Sequence, residues 1–486
     1  MKLRLLAVSA ALLFCLGSSW AGPLESGVAA YTRSDYQQAL ALLQPLAAQG
    51  NGRAQYHVGL MYDNGQGVAK DPAQAVKWYR LAAAQGIAKA RYNLGLMYAQ
   101  GQGVAQDHAE AARWYQLAAQ QGIARAQYSL ALLYERGQGV PRDLAQAITL
   151  YRTAAEQGNA SAQYNLGLMY DNGVGVPRDD AEAAKWYRLA AAQGVARAQS
   201  NLGLLYESGQ GVPRDYAEAL RLYRLGAARG VGKAQYNLGS MYARGIGVAQ
   251  DPAEALRWYR LAAAQGIALA QAKLGMAFES GQGVSQNLPE ALKWYRLAAA
   301  QGDAMAQTSL GLLHERGHGV KQDYEEAVRW YRLAVAQDNA NAQYNLGLMY
   351  DYGQGVTQDY VEAVRLYRLA AQQGNASAQH NLGLMYSRGE GVVRDPVEAI
   401  KWYRLAAVQG DPGAQTDLGR MYERGQGVPQ DDARAYMWFH IGASAGASAL
   451  AAKSRDAIAT RLTPAQIAQA QTQASDCVGR NYQACE

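Results

Sequence analysis

Cysteine, phenylalanine and histidine are scarce in this chain: 3, 3 and 6 residues among 486. Of the cysteines, Cys477 and Cys485 stand eight apart at the C-terminus, and no His or further Cys lies near them to complete a metal site. The phenylalanine count contrasts with 33 Tyr and 9 Trp. Random composition does not give such a ratio; copying of a tyrosine-bearing unit does. A large charge of one sign is also missing. Lys+Arg minus Asp+Glu is 46 − 40, or 6, and removing Lys2 and Arg4 with an N-terminal leader leaves 4. So mild a surplus does not suit a dedicated nucleic-acid binder, and no nucleic-acid partner is expected. After the first 21 residues no apolar run approaches the roughly 18 residues of a membrane span, so no such span is expected. Apolar residues still make up 49%, which excludes wholesale disorder.

Residues 1–21 read as a secretory signal peptide. Lys2 and Arg4 give a positive start, Leu5 to Gly17 form a 13-residue apolar stretch, and Ser19-Trp20-Ala21 sets small residues before a cut at Gly22. A lipoprotein reading would use Cys15, but Phe14 is bulky where a small residue is expected. Export into an oxidising compartment suits a Cys477–Cys485 disulfide; two free thiols on a frayed tail are the alternative.

What the chain does contain is a repeat of 36 residues. Ala54-Gln55-Tyr56 recurs as Ala162-Gln163-Tyr164, Ala234-Gln235-Tyr236 and Ala342-Gln343-Tyr344, and the glutamine position steps by 36 from 55 to 415 without an insertion. Gly65-x-Gly67-Val68 appears in all eleven units, followed by an acid such as Asp71 and by Ala75-x-x-Trp78-Tyr79-Arg80-Leu81-Ala82-Ala83, closed by Gly86. A period of this size signals a solenoid.

Each unit reads as two helices. Gln55, Val58, Gly59 and Tyr62 mark one face of the first. A glycine inside a helix costs about 1 kcal/mol against alanine, so its recurrence predicts that a neighbouring helix backbone packs close to Gly59. Gly65 and Gly67 stop the first helix. Asp71-Pro72-Ala73-Gln74, Asp251-Pro252-Ala253-Glu254 and Asp395-Pro396-Val397-Glu398 open the second with capping boxes. Ala75, Tyr79 and Ala82 form its buried stripe.

Small–Gly–Tyr in the first helix and Ala–aromatic–Ala in the second resemble the tetratricopeptide pattern. The 36-residue length and the Gly-x-Gly-Val loop are similar to the Sel-1-like repeat family. The resemblance covers eleven units over 51–446 and implies an all-α fold: a right-handed superhelical α/α solenoid of about eleven helix-turn-helix repeats with capping helices. Residues 22–50 resemble a degenerate N-terminal hairpin, since Asp35, Ala39 and Gly50 keep the period but the Gly-x-Gly-Val loop is missing. Residues 447–486 read as C-terminal capping helices, with Leu450 to Leu462 helical and Thr463-Pro464-Ala465-Gln466 opening another helix.

No unique chemical constellation stands out. A Gly-x-Ser-x-Gly elbow is absent, and the Gly-x-Gly-Val loops lack the lysine of a phosphate-binding loop. His314 and His318 are spaced for a metal, but Gly317 intervenes and His314 occupies a repeat tyrosine position. Neither a catalytic residue nor a cofactor or metal is therefore assigned. The resemblance implies instead that first-helix residues line an inner, concave surface, at positions equivalent to Arg53, Tyr56, His57, Leu60 and Asp63. This gives a tyrosine ladder of Tyr56, Tyr92, Tyr128, Tyr164, Tyr236 and Tyr344. Beside it runs an asparagine ladder of Asn93, Asn165, Asn201, Asn237, Asn345 and Asn381. Tyrosine offers flat contact area and asparagine pairs with peptide backbone; alternatively the asparagines merely bond neighbouring helices. The ladder breaks at Ser200, Ala272, Thr308, His380 and Thr416, and at Lys273, Ser309 and Asp417. Tryptophans such as Trp78, Trp114 and Trp186 suit packing between repeats better than sugar binding, and Lys77 and Arg80 suit a solvated outer stripe.

These features lead to an exported, periplasmic or secreted bacterial scaffold that binds protein partners without catalysis. Three other readings stay open: a cell-wall glycan or peptidoglycan factor, a secreted host-interaction factor and, least favoured, a β-lactam hydrolase. The last resembles cysteine-rich relatives whose repeats each carry a cysteine pair, which these repeats lack.

Overall fold

A computed structural model of the protein describes residues 22–444, 449–480, 482 and 485. The leader at 1–21 and the lipidation candidate Cys15 lie outside the described residues. Among those described there are 26 helices and no strand. The chain divides into two units, residues 1–234 and 235–486, each built of the same helical hairpin.

The hairpin over 52–86 shows how local sequence makes the unit. Asn51 caps the first helix, Gly52–Asn64, by accepting from the Ala54 N–H at 3.0 Å. Gly65 ends it at φ 70°, a left-handed conformation that glycine adopts without steric cost. The Asp71 N–H closes the loop on the Tyr62 carbonyl at 2.9 Å. Its side chain then caps the second helix, Pro72–Ala84, by accepting from the Gln74 N–H at 3.0 Å. The return bond of a full capping box is not made at Asp251 or Asp395. Glu254 and Glu398 turn outward instead, to Arg257 at 3.1 Å and Lys401 at 2.7 Å. Thr463 and Gln466 do make both halves, opening the helix Pro464–Gly479.

The core of each unit is a stack of alanines around one tyrosine per repeat. Ala75, Tyr79 and Ala82 are fully buried, as the stripe predicts. Gly59 serves this tyrosine and not a helix backbone, which corrects the sequence expectation. A Cβ on Gly59 would fall 2.7 Å from Tyr79 Cδ1, so the side chain is deleted to admit the ring. Gly167 does the same for Tyr187, and Gly383 for Tyr403.

Between hairpins, a buried glutamine joins consecutive repeats. Gln55 Nε2 donates to the Ala47 carbonyl at 3.1 Å, and its Oε1 accepts from Gln85 at 2.7 Å. Gln163 and Gln193, and Gln343 and Gln373, repeat the pairing at 2.8 and 2.9 Å. Buried amides demand partners, so the pairing ties the two helices of one hairpin while the bond to the Ala47 carbonyl sets that hairpin against the preceding one. Tryptophans of the second helix fill the space against the preceding repeat: Trp186 packs with Ala147, Tyr151 and Leu166.

After the helix Asp432–Ser444 come Ala449–Ala459 and Pro464–Gly479. Ile458, Ala470, Ala474 and Cys477 pack against Trp438, Phe439 and Ile441 of the last repeat. Cys477 and Cys485 are disulfide-bonded. No helix of the described residues is long and apolar enough to cross a membrane.

Candidate functional site

All twelve ladder residues are half-buried on their first helices. Each ladder tyrosine leans on the core tyrosine of its own repeat: Tyr56 on Tyr79 at 6.2 Å between ring centroids, Tyr164 on Tyr187 at 6.0 Å, Tyr344 on Tyr367 at 6.0 Å. Tyr92, Tyr128 and Tyr236 do likewise with Tyr115, Tyr151 and Tyr259. One edge is therefore packed and the other faces outward.

The asparagines have a structural bond as well. Asn165 Nδ2 donates to the Tyr151 hydroxyl of the preceding repeat at 3.2 Å, and Asn201 to Tyr187 at 3.1 Å. The tyrosine hydroxyl in turn donates to an acid of its own first helix: Tyr187 to Asp171 at 2.8 Å, Tyr295 to Glu279 at 2.6 Å and Tyr151 to Glu135. This Asn–Tyr–carboxylate chain was not legible as a unit. Tyr79 read as core and Asp63 as groove, yet the Tyr79 hydroxyl reaches Asp63 at 3.1 Å. Burial, and then the adjoining carboxylate, push the Tyr295 phenol far above its ordinary range. Removing one donor of such a chain leaves part of it unpaired. Asn165→Ala is expected to lower stability by about 1 kcal/mol, read from the denaturation midpoint at unchanged m-value.

Between first helices the surface opens into shallow pockets. In the first unit, Leu132, Glu135, Arg136, Tyr164, Asn165, Leu168 and Arg197 line one of about 360 Å³. In the second unit Tyr236, Ser240, Arg244, Tyr259, Lys273 and Met276 line another of about 280 Å³. The rim of the first unit is basic: Arg53, Lys89, Arg125, Arg197 and Lys233 are exposed at equivalent positions.

One break in the ladder is a charged cluster. His380 Nε2 lies 3.0 Å from Asp417 Oδ2, and its Nδ1 lies 3.3 Å from Asp411 Oδ1. Asp417 also accepts from Arg420 at 2.8 Å. His380 and Asp417 each stood out as a departure in sequence, but their pairing did not. The signal was a separation of 37, one repeat plus one residue. His314 lies in the last turn of the helix Ala304–Arg316 and His318 lies beyond its Gly317 cap. Among the described residues no cluster of three His, Cys, Asp or Glu side chains is placed to hold a metal.

The comparisons with known proteins match this geometry. The Sel1 repeat model fits twelve consecutive segments, from 24–51 and 52–87 through to 412–446. The chain belongs to the Sel1 repeat family. The segment beyond the eleven read from sequence is the first, the hairpin at 24–51, set apart in sequence by its missing loop; Pro23–Thr32 and Tyr36–Ala48 form it. A protective antigen of uropathogenic Escherichia coli, c5321, has a solved structure with this Sel1-like repeat fold. It is 37% identical, covers 91% of this chain and 96% of its own, and superposes with a TM-score of 0.81. A Sel1 repeat protein of Oxalobacter formigenes is 36% identical over 50% of this chain and 97% of its own, with a TM-score of 0.45. No curated protein matches the chain.

Proposed function

We propose that this Sel1 repeat protein is a non-catalytic scaffold that binds protein partners along its first-helix face. The observation that carries the reading is the pocket holding Tyr164 and Asn165 beside Arg136 and Arg197. It combines an aromatic edge, an amide, two guanidinium groups and the apolar Leu132 and Leu168, the mixture that protein interfaces favour. The exposed basic rim of the first unit suits a partner segment rich in Asp and Glu. The Tyr and Asn ladders in both units extend the same chemistry from repeat to repeat.

The leader sequence supports export to a bacterial periplasm, and the uropathogenic relative's description as a protective antigen agrees with a protein that antibodies reach. That relative also gives weight to a secreted host-interaction role as the second reading.

Photo-crosslinking in cells from Tyr164, Asn237 and Tyr344, with Lys77 as a second-helix control, tests the proposal. A discrete protein adduct from the first-helix sites alone is expected, weakened at raised salt for Tyr164. Adducts to glycan, or protein adducts from Lys77 only, would overturn it.

A further inference from the structure

The second-helix face carries a break of its own. At Trp186, Trp258 and Trp294 a cation of the same helix stands by the indole ring, and at Trp258 the indole N–H also has an acid partner, whereas the N–H groups of Trp186 and Trp294 have none. The Trp258 indole N–H donates to Glu254 Oε1 at 2.8 Å, and the Arg257 guanidinium stands 5.4 Å from the ring centroid. Lys185 and Lys293 stand likewise by Trp186 and Trp294, at 5.3 and 5.6 Å. In the helix Tyr216–Ala228 the tryptophan is replaced by Leu222, while Glu218 and Arg221, the counterparts of Glu254 and Arg257, remain. Both line a pocket of about 480 Å³ among the helices Asp180–Ala192, Ala196–Ser208 and Tyr216–Ala228. Leu202, Leu222 and Leu225 form its apolar wall, and Arg188 and Arg229 its polar one. The size is that of a small-molecule site.

A second observation comes from the glutamine ladder. Gln127 and Gln163 have their Oε1 atoms satisfied by Gln157 and Gln193, each at 2.8 Å. The residue that would satisfy Gln199 is Arg229, and its Nη1 donates instead to the Gly194 carbonyl at 2.7 Å. Gln199 is 5% exposed, lines the pocket, and its Oε1 has no hydrogen-bond partner. A buried acceptor without a partner is costly, and a donor brought by a ligand would recover that cost. Arg188 and Arg229 have no carboxylate partner among the described residues; Arg188 donates to the Tyr206 hydroxyl at 3.1 Å. Two helices provide internal contrasts. Tyr360–Gln372 also has leucine, Leu366, in place of tryptophan and keeps Glu362 and Arg365, but there Gln373 satisfies Gln343 at 2.9 Å, so the unsatisfied Gln199 is what sets the Leu222 pocket apart. Leu144–Glu156 differs further. It also has leucine, Leu150, in place of tryptophan, but Gln146 and Thr149 replace the acid and cation, and Gln157 satisfies Gln127.

We propose that this pocket binds a flat aromatic organic acid bearing a ring N–H or O–H. The ring takes the place of the missing indole beside Leu222 and restores a cation–π contact to Arg221. The ring donor meets Glu218 or Gln199, and the carboxylate meets Arg188 and Arg229. This site is independent of the first-helix face, and its ligand is a small molecule whatever protein the scaffold engages.

Isothermal titration calorimetry of the full chain with indole-3-acetate as the probe tests it. Saturable binding at one site is expected. Indole, which lacks the carboxylate, and 1-naphthaleneacetate, which lacks the N–H, should each bind at least roughly 10-fold more weakly, the loss of one charge-assisted or neutral hydrogen-bonded contact. Leu222→Trp fills the pocket and Arg229→Gln removes a cation while satisfying Gln199; each should weaken indole-3-acetate by a similar factor. Both place residues that neighbouring repeats carry at the same positions, and a thermal melt checks their fold. Leu150→Trp and Tyr164→Ala should leave the affinity unchanged. Absence of saturable binding at millimolar probe, equal affinity for indole, or native affinity in folded Leu222→Trp would overturn the proposal.

Discussion

Gly211→Ala is expected to destabilise the first unit by about 2–5 kcal/mol, while Gly230→Ala costs about 1–2 kcal/mol. Both glycines are left-handed, with φ of 68° and 80°. Both substitutions therefore incur the penalty of a side chain in that region, about 1–2 kcal/mol. Their surroundings separate them. A Cβ on Gly211 would lie 2.2 Å from the Asp180 carbonyl carbon and 2.5 Å from the Ala181 nitrogen, whereas nothing lies within 4 Å of one on Gly230. The obstructing atoms are backbone in the first turn of a helix, pinned because Asp179 accepts from the Ala181 and Glu182 N–H groups at 3.0 Å each. They cannot yield without undoing that cap, so overpacking adds about 1–3 kcal/mol. The protein has performed the milder experiment itself. Asp338 occupies the position equivalent to Gly230 at φ 58°, and its carboxylate accepts from Gln343 at 3.1 Å. Denaturant melts give the totals, and hydrogen exchange over 180–212 localises the loss. Equal costs for the two substitutions would show that loop contact between repeats contributes nothing.

What could be read from sequence, and what could not, divides along the same line between local and cross-repeat chemistry. Helix ends depend on neighbours a few residues away, so the glycine stops, the acidic caps and the Thr463–Gln466 box were legible in the string. The buried stripe was legible because a helix projects its period onto one face. Contacts between hairpins were not. Periodicity says which positions are equivalent, but not that Gln193 meets the Gly158 carbonyl of the preceding repeat or that His380 meets Asp417. Gly59 shows the difference: its need for close approach was evident, but the partner was the Tyr79 ring instead of a helix backbone. The ladder asparagines had two readings in sequence, and Asn165 and Asn201 make the bond to a neighbouring repeat. The Leu222 pocket was the least legible feature. It arises where a missing indole coincides with a glutamine left unsatisfied by its arginine neighbour, and it becomes visible only against the repeats in which a second glutamine fills that role.

The core tyrosines set an upper pH limit on the fold. Tyr79, Tyr115, Tyr151 and Tyr187 in the first unit, and Tyr259, Tyr295, Tyr331, Tyr367 and Tyr403 in the second, are at most 5% exposed. Burial is the leading cause of a raised pKa in every one, because the phenolate loses its hydration while the neutral phenol loses little. For Tyr259 the value is pushed up to about 12 from the ordinary 10.0. A group whose folded pKa exceeds its unfolded one contributes stability that is fully present below the unfolded value, here near 10. That contribution is lost as pH rises through the folded value. Each unit of difference is about 1.4 kcal/mol, so Tyr259 alone removes roughly 2 kcal/mol by pH 12. The other eight are raised as well, and a domain's stability is only about 5–15 kcal/mol. Helicity is therefore expected to vanish steeply between pH 10 and 12, with the buried phenols ionising together with the loss of circular dichroism. Tyr259→Phe should move the alkaline midpoint of the second unit upward. Near neutral pH it should cost no more than about 1 kcal/mol, the worth of one hydroxyl hydrogen bond. Phe439, fully buried at the equivalent place, shows that the ring packs without its hydroxyl. Phenolate absorbance that rises to completion while helicity stays native would mean that these rings reach water by local opening, and that the repeats do not unfold as a cooperative unit.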